Sequence, residues 1–227
     1  MSDFVIPPAA IPSLPVAGDH RRFPVRRIYC VGRNYADHAR EMGHDPDRDP
    51  PFYFQKNPEN LDPSGEFPYP SLSQDVHHEV ELLVALRSGG RDIPTDKAMD
   101  HVWGYAVALD MTRRDLQGQM KATGRPWEIG KAFERSAPVG RLMPAEGLNM
   151  SQGAITLTLN GSPRQSGDLS QMIWSIPEQI AYLSRTYDIA AGDVILTGTP
   201  AGVGPVTVGD VMEARIDGLP DLSVRVV

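Results

Sequence analysis

The sequence predicts a β-rich α+β domain, on three observations. Runs with apolar residues at every second position recur at 25–31, 76–86, 104–110, 193–197, 211–216 and 222–227, the period of strands that bury one or both faces. The segment 154–159, the pair Asn160-Gly161 and the segment 163–166 spell a hairpin, because Asn-Gly suits a two-residue turn with both residues left-handed. No regular alternation of strands with helices runs through the chain, and 21 glycines and 21 prolines supply many turns, as expected of α+β rather than α/β architecture.

The elements follow in order. Residues 1–24 carry Pro7, Pro8, Pro12, Pro15 and Pro24 and read as an extended, proline-rich arm. Residues 25–227 form one domain. A strand at 25–31 leads through Gly32-Arg33-Asn34 into a short helix ending near Met42, and a polar connection precedes a strand at 52–56. A loop with four prolines at 57–73 gives way to an acidic strand. A short helix at 95–102 is expected, capped by Thr95 or Asp96, then a strand at 104–110 and a helix at 114–122. After the hairpin, 170–187 reads as a helical pair with Pro177 at the break or in the first turn.

Composition narrows the function. The 227 residues are 41% hydrophobic and 22% charged, values of one globular domain with a full core. A net charge of -7 without runs of Lys or Arg argues against a nucleic-acid partner. The single cysteine, Cys30, excludes an internal disulfide and a cysteine-rich zinc site, and its apolar strand makes it a core residue. No apolar stretch reaches membrane-spanning length and no basic-then-apolar start is present, so a cytoplasmic protein without membrane contact is expected.

Chemistry concentrates first in His77-His78-Glu79-Val80-Glu81-Leu82-Leu83-Val84-Ala85-Leu86. Residues two apart on a strand share a face and stand about 7 Å apart along it. Glu79 and Glu81 therefore point together, with His77 on their side and His78 opposite. Two carboxylates side by side in an apolar strand are costly unless a cation sits between them. Alone, such a pair is better read as the solvated face of an edge strand. Asp110, which ends a second apolar strand, supplies a third acid and shifts the balance. Three carboxylates with neither cysteine nor clustered histidine suit a hard divalent cation, Mg²⁺ or Mn²⁺. His77 and His78 are read as structural or supporting groups.

Other candidates surround this trio. His38 and Glu41 are three apart on a helical stretch, a spacing that lets a carboxylate orient an imidazole as a water-activating base. Taken alone the pair is a common surface arrangement. Arg114 and Gln117 share a face of the helix after Asp110 and can reach anything bound at that strand end. Lys131 and Lys56 sit among apolar and aromatic neighbours, unusual for solvated lysines, although a snorkelling stem explains either. The loop Gly198-Thr199-Pro200-Ala201-Gly202-Val203-Gly204-Pro205 leads into a strand-like run rather than a helix. It is therefore no nucleotide cradle, and no nucleotide cofactor is expected, but it can present Thr199 and backbone N–H groups as a wall.

Together these stretches resemble the fumarylacetoacetate hydrolase superfamily, in its short single-domain branch. The matching segments are GRNYADHAREMG (32–43), FQKNP (54–58), HHEVELLVAL (77–86), GYAVALDMTRRDLQ (104–117), RPWEIGKAFERSAPVG (125–140), NGSPRQSGDLSQMIWSIPEQI (160–180) and GDVILTGTPAGVGPV (192–206). The resemblance implies a β-roll-like fold of mixed sheets with short peripheral helices, a homodimer, and one divalent cation per subunit, Mg²⁺ or Mn²⁺, with Ca²⁺ as a stand-in in crystals. The family's metal acids fall on Glu79, Glu81 and Asp110. Its water-activating dyad falls on His38 and Glu41, in a lid at about 34–50, and its substrate contacts on Lys56, Arg114, Gln117, Lys131 and Thr199.

The activity implied is hydrolysis of the carbon–carbon bond of an acylpyruvate. The detail of RRDLQ and GRPWEIGKAFERSAP points to fumarylpyruvate, cleaved to fumarate and pyruvate in gentisate-type aromatic degradation. Lys131 would stabilise the departing enolate, making it a catalytic residue with His38 and Glu41. A second carboxylate on fumarylpyruvate needs its own cationic partner, for which Arg125, Arg33 and Arg40 are candidates. The same scaffold could instead decarboxylate or tautomerise oxaloacetate, or isomerise a dienoate. A non-catalytic metal-dependent binding protein is the distant alternative.

Overall fold

The computed structural model describes residues 4–37 and 50–227. Six strands make a central mixed sheet, in the order Met143–Pro144, Val102–Leu109, Val80–Leu86, Asp193–Leu196, Arg27–Gly32 and Phe52–Lys56. Only Asp193–Leu196 and Arg27–Gly32 run parallel. A second sheet orders Ser162–Asp168, Ala154–Leu159, Val211–Ile216, Leu222–Val226 and Glu66–Phe67. Helices are short and peripheral: Arg114–Ala122, Glu128–Lys131 and Ile176–Thr186. The expected β-rich architecture of mixed sheets is therefore the one observed.

Strand periodicity explains how the sheets pack. Val80, Leu82, Val84 and Leu86 enter the main core with Ile155, Leu157, Met212 and Ala214 of the second sheet. The intervening Leu83 and Ala85 join a second core with Ile28, Cys30, Ala106, Ala108, Val194 and Leu196. Two apolar faces need two covers. The second is partly covered by the amino-terminal segment, where Ser13–Pro15 pairs antiparallel with Arg22–Pro24. Leu14, Val16, Phe23 and Val25 all enter that core. Ser13–Pro15 and Arg22–Pro24 thus form a covering hairpin within the stretch expected as an arm, because an apolar sheet face left in water would cost more than ordering a short hairpin.

Local differences from the expected elements have local causes. The acidic strand divides into Val76–His78 and Val80–Leu86 with Glu79 between them, because the first piece turns away to pair with Thr112–Arg113 and Gly204–Pro205. The segment Thr95–His101 is a 3₁₀ helix preceded by Pro94, with no side-chain cap from Thr95 or Asp96. The Lys97 N–H donates to the Pro94 carbonyl, which sets the tighter turn. The pair at 170–187 resolves into a 3₁₀ turn, Leu169–Gln171, and the helix Ile176–Thr186, with Pro177 in its first turn. Asn160 and Gly161 have φ of 52° and 75°, as the hairpin turn requires.

Candidate active site

The acids are brought together by strand pairing. Val80 lies opposite Leu109 and Glu81 opposite Ala108, and the Asp110 N–H donates to the Glu79 carbonyl at 2.9 Å. Glu79, Glu81 and Asp110 then offer carboxylate oxygens that all lie within 4.8 Å of one another. Their residues are only 4%, 2% and 1% exposed. The two-residue spacing aims the glutamates together, and the neighbouring strand delivers the aspartate.

Cations crowd the same point. Lys131 Nζ donates to Glu79 Oε2 at 2.8 Å, Asp110 Oδ2 at 2.7 Å and Thr112 Oγ1 at 2.7 Å. Arg114 donates from Nη2 to Glu79 Oε1 and from Nη1 to Gln117 Oε1. Gly130 lets this happen, since a Cβ there would lie 2.9 Å from the Gln117 backbone nitrogen; the Lys131 turn packs directly on the Gln117 helix. Burial alone would push the Lys131 ammonium toward neutrality, but the charges of Asp110 and Glu79 outweigh it and raise its pKa. Burial, reinforced by the charges of Asp110 and Glu79, pushes Glu81 well above the usual carboxylate range, against the opposing Lys131 charge and the Gly198 N–H, which Glu81 Oε2 accepts at 2.8 Å.

Lys56 stands behind the trio. Its Nζ is 2.9 Å from Asp110 Oδ1, yet its donors are aligned with the carbonyls of Met111 and Lys131 and with Ser136 Oγ. The contact is an ion pair without a hydrogen bond, and Asp110 Oδ1 is a buried acceptor lacking an aligned donor. A buried carboxylate oxygen with an ion-pair partner but no aligned donor, a glutamate driven toward protonation by burial and by the charges of Asp110 and Glu79, and a donor set of hard oxygens fit a dication. His77 and His78 stand outside this donor set. His77 Nε2 pairs with Asp75 Oδ1 at 2.9 Å, and burial lowers the pKa of both imidazoles.

A cavity opens above the acids. Arg114, Gln117, Lys131 and Thr199 line it, as do Arg33, Phe54, Lys121 and Trp127. Lys56 does not line it. His38, Glu41 and Arg40 lie outside the described residues, as does most of the segment expected as a lid. Arg125 lines a neighbouring surface depression with Phe52 and Trp127. Lys121 was missed in the sequence although its spacing reveals it: four residues after Gln117 and seven after Arg114, it continues their helix face.

Gln165 was missed as well, and it holds two walls in register. Its Oε1 accepts from the Val80 N–H at 3.0 Å and its Nε2 donates to the Pro200 carbonyl at 2.8 Å and to Thr199 Oγ1 at 2.7 Å. The two backbone partners fix the amide orientation. His78 Nδ1, 3.0 Å from the same Oε1, must therefore carry its proton toward Gln165. Gln165→Ala is expected to destabilise the protein by about 1–3 kcal/mol for each buried group left unpaired, read as a lower urea midpoint at unchanged slope. Nothing local in the sequence marks this residue, since its partners lie on the acid strand and the loop beyond Gly198.

Comparison with known proteins agrees with the geometry. The family model for the fumarylacetoacetate hydrolase C-terminal domain matches residues 27–227. The chain is 41% identical over 202 residues to human mitochondrial oxaloacetate tautomerase FAHD1, covering 88% of this chain and 91% of that protein. Mitochondrial oxaloacetate decarboxylase of Dictyostelium discoideum is 41% identical over 197 residues, covering 86% and 90%. The crystal structure of fumarylpyruvate hydrolase from Pseudomonas aeruginosa in complex with Mn²⁺ and pyruvate superposes with a TM-score of 0.97 at 52% identity, covering 99% of each chain. With the matching fold, the shared length and the buried acid centre together, the chain belongs to the fumarylacetoacetate hydrolase family.

Proposed function

We propose that the protein is a dication-dependent hydrolase that cleaves the carbon–carbon bond of an acylpyruvate, with fumarylpyruvate giving fumarate and pyruvate. The observation that carries this reading is the buried trio Glu79, Glu81 and Asp110, with Lys131 and Arg114 set against it on the cavity wall. Likeness to a fumarylpyruvate hydrolase holding Mn²⁺ and pyruvate supports the acyl group. Mg²⁺ or Mn²⁺ is the expected ion, and a homodimer the expected assembly.

Glu79, Glu81 and Asp110 would hold the ion, which supplies Lewis-acid polarisation at the 2-oxo acid end when bound. Arg114, its guanidinium plane fixed by Gln117, takes the substrate carboxylate in a two-point grip. Thr199 Oγ1 accepts from Gln165, so its own hydroxyl hydrogen is what it can offer a substrate oxygen. His38, oriented by Glu41, removes a proton from water as the water oxygen adds to the distal carbonyl carbon. The bond between that carbon and the pyruvyl methylene then breaks. The acyl group leaves as a carboxylic acid and the bonding electrons pass into the enolate of pyruvate, which is finally protonated on carbon. Lys131 offsets the negative charge that grows on the enolate oxygen, so its contribution falls in the transition state. Lys56 positions Asp110 and the Lys131 backbone from behind.

Oxaloacetate tautomerisation or decarboxylation is the second reading, favoured by the two relatives named above. It uses the same grip on a 2-oxo acid without an attacking water. Product analysis of the Mg²⁺- or Mn²⁺-loaded protein separates them. Fumarate and pyruvate in equal amounts from fumarylpyruvate support the hydrolase. Carbon dioxide, or keto–enol exchange of oxaloacetate with no acylpyruvate cleaved, supports the second reading.

A further inference from the structure

We propose that Gln165, which stands behind the cavity wall, is a positioning residue that fixes the Thr199 hydroxyl as a hydrogen-bond donor toward a bound 2-oxo acid. The inference rests on reading the cavity as a 2-oxo acid site, and it requires an acceptor oxygen of the substrate, carbonyl or carboxylate, to face Thr199.

A bulge delivers Gln165 to this place. Along Ser162–Asp168, Gln165 lies opposite Leu157 and Pro163 opposite Thr158. Arg164 is therefore an extra residue on this strand, an irregularity that re-aims the side chain beside it. Gln165 is the one buried residue of the strand. Glycines let the loop that carries Thr199 close against it. A Cβ on Gly202 would run into the Arg164 carbonyl, and one on Gly167 would lie 2.7 Å from the Pro200 Cβ.

A side-chain amide accepts two hydrogen bonds at its oxygen and donates two from its nitrogen. Gln165 spends all four. Oε1 faces the Val80 N–H and His78 Nδ1, each at 3.0 Å, while Nε2 donates to the Pro200 carbonyl and to Thr199 Oγ1. Turning the amide over would set N–H against N–H at Val80 and oxygen against oxygen at Pro200, leaving two buried backbone groups unpaired. The Thr199 oxygen is thus held as an acceptor toward Gln165, and its hydrogen cannot return to an amide oxygen that is already full. Among the described residues no acceptor is paired with that hydrogen. Thr199 lines the cavity above the acid trio, so the hydrogen is left for whatever binds there. The adjacent Gly198 N–H donates to Glu81 Oε2 at 2.8 Å, which holds this donor in a fixed relation to the acid centre.

The test alters both ends of the contact. Gln165→Glu keeps the shape and the acceptor facing Val80, yet it carries at most one hydrogen for the two oxygens, Thr199 Oγ1 and the Pro200 carbonyl, that the amide serves. Its second oxygen can accept the Thr199 hydroxyl and draw it out of the cavity. Calorimetric titration of the Mg²⁺-loaded protein with pyruvate is expected to show about tenfold weaker binding in Gln165→Glu and in Thr199→Val, ~1.4 kcal/mol each. The double variant should bind no more weakly than either single one, because both remove the same contact. Thr199→Ser, which keeps the hydroxyl, should bind as wild type does, and Mg²⁺ affinity should hold throughout. Losses that multiply to about a hundredfold, a Thr199→Val protein with normal pyruvate affinity, or a Gln165→Glu protein that no longer binds Mg²⁺ would each overturn the proposal. Nitrogen NMR of His78 in the wild type needs no variant. A proton on Nδ1 with a bare Nε2 supports the amide orientation, and the reverse tautomer overturns it. If the cycle holds while no acylpyruvate is cleaved, the hydrolase reading fails and the positioning role stands. A wild type that binds no 2-oxo acid removes both.

Discussion

Glu81→Gln is expected to abolish dication binding and turnover together while leaving the metal-free protein at least as stable as wild type. The amide keeps an oxygen for the Gly198 N–H, which Glu81 accepts at 2.8 Å, so the loop after the Asp193–Leu196 strand stays anchored. What disappears is a carboxylate whose protonation is favoured by burial and by the charges of Asp110 and Glu79. In the metal-free protein that carboxyl group is held above the usual range and retains its proton as pH rises past the value at which an unfolded glutamate ionises. Replacing it with a neutral amide therefore removes no favourable charge pair from the folded state. For the ion the change is severe, since one of three anionic donors is gone. A loss of more than about 100-fold in affinity is expected, beyond what removal of a group behind a ligand produces.

The sign of the proton linkage follows from the same geometry. Ion binding requires Glu81 ionised, so binding releases its proton and affinity rises with pH up to the raised pKa of that carboxyl. The variant has no such proton to release. Calorimetric titration with Mn²⁺ in two buffers of different ionisation enthalpy measures affinity and proton count in one experiment, and thermal melting of the metal-free forms measures stability. Wild-type Mn²⁺ affinity in Glu81→Gln would mean that the ion is held elsewhere.

His38→Ala is expected to reduce acylpyruvate hydrolysis by about 10²–10⁴-fold, the contribution of a positioned general base, with Mn²⁺ affinity near that of wild type. Glu41→Gln should cost less, because it removes the orienting partner and leaves the imidazole. The chain approaching this pair starts beside the acid centre. Asn34 is tied to the Thr197 carbonyl and packs on Gly198, where a Cβ would lie 2.8 Å from the Asn34 Cβ. Tyr35 bridges to Met172 and is 2% exposed. Single-turnover hydrolysis of fumarylpyruvate checks the prediction, because it separates chemistry from product release. A variant that hydrolyses at the wild-type rate removes the base from the mechanism. If oxaloacetate tautomerisation survives while hydrolysis is lost, the attacking water is the step that His38 serves.

The alternation of side chains along a strand depends on the backbone of that segment alone. For that reason Glu79 and Glu81 could be read as a pair, Asp110 as the acid at the end of a second strand, and Asn160-Gly161 as a hairpin turn, before any fold was known. Helical spacing is equally local, so Arg114, Gln117 and Lys121 share a face legible from their numbers, although Lys121 needed that face to be followed one turn further. Three carboxylates without thiolate or imidazole also led from the sequence to the expectation of a hard cation, and the gathered acids offer a donor set that fits one.

Tertiary structure decided everything that depends on which distant segments touch. It set Lys56 behind Asp110 rather than on the cavity wall, and it delivered Gln165 from the hairpin to Val80, Thr199 and Pro200. It turned Val76–His78 away from the acidic strand, and it closed the amino-terminal hairpin over a sheet face that needed covering. These outcomes arise from long-range pairing and from burying two apolar faces at once, so their causes are spread over the whole chain. Backbone period is written residue by residue, whereas contact between remote segments exists only once the chain has packed.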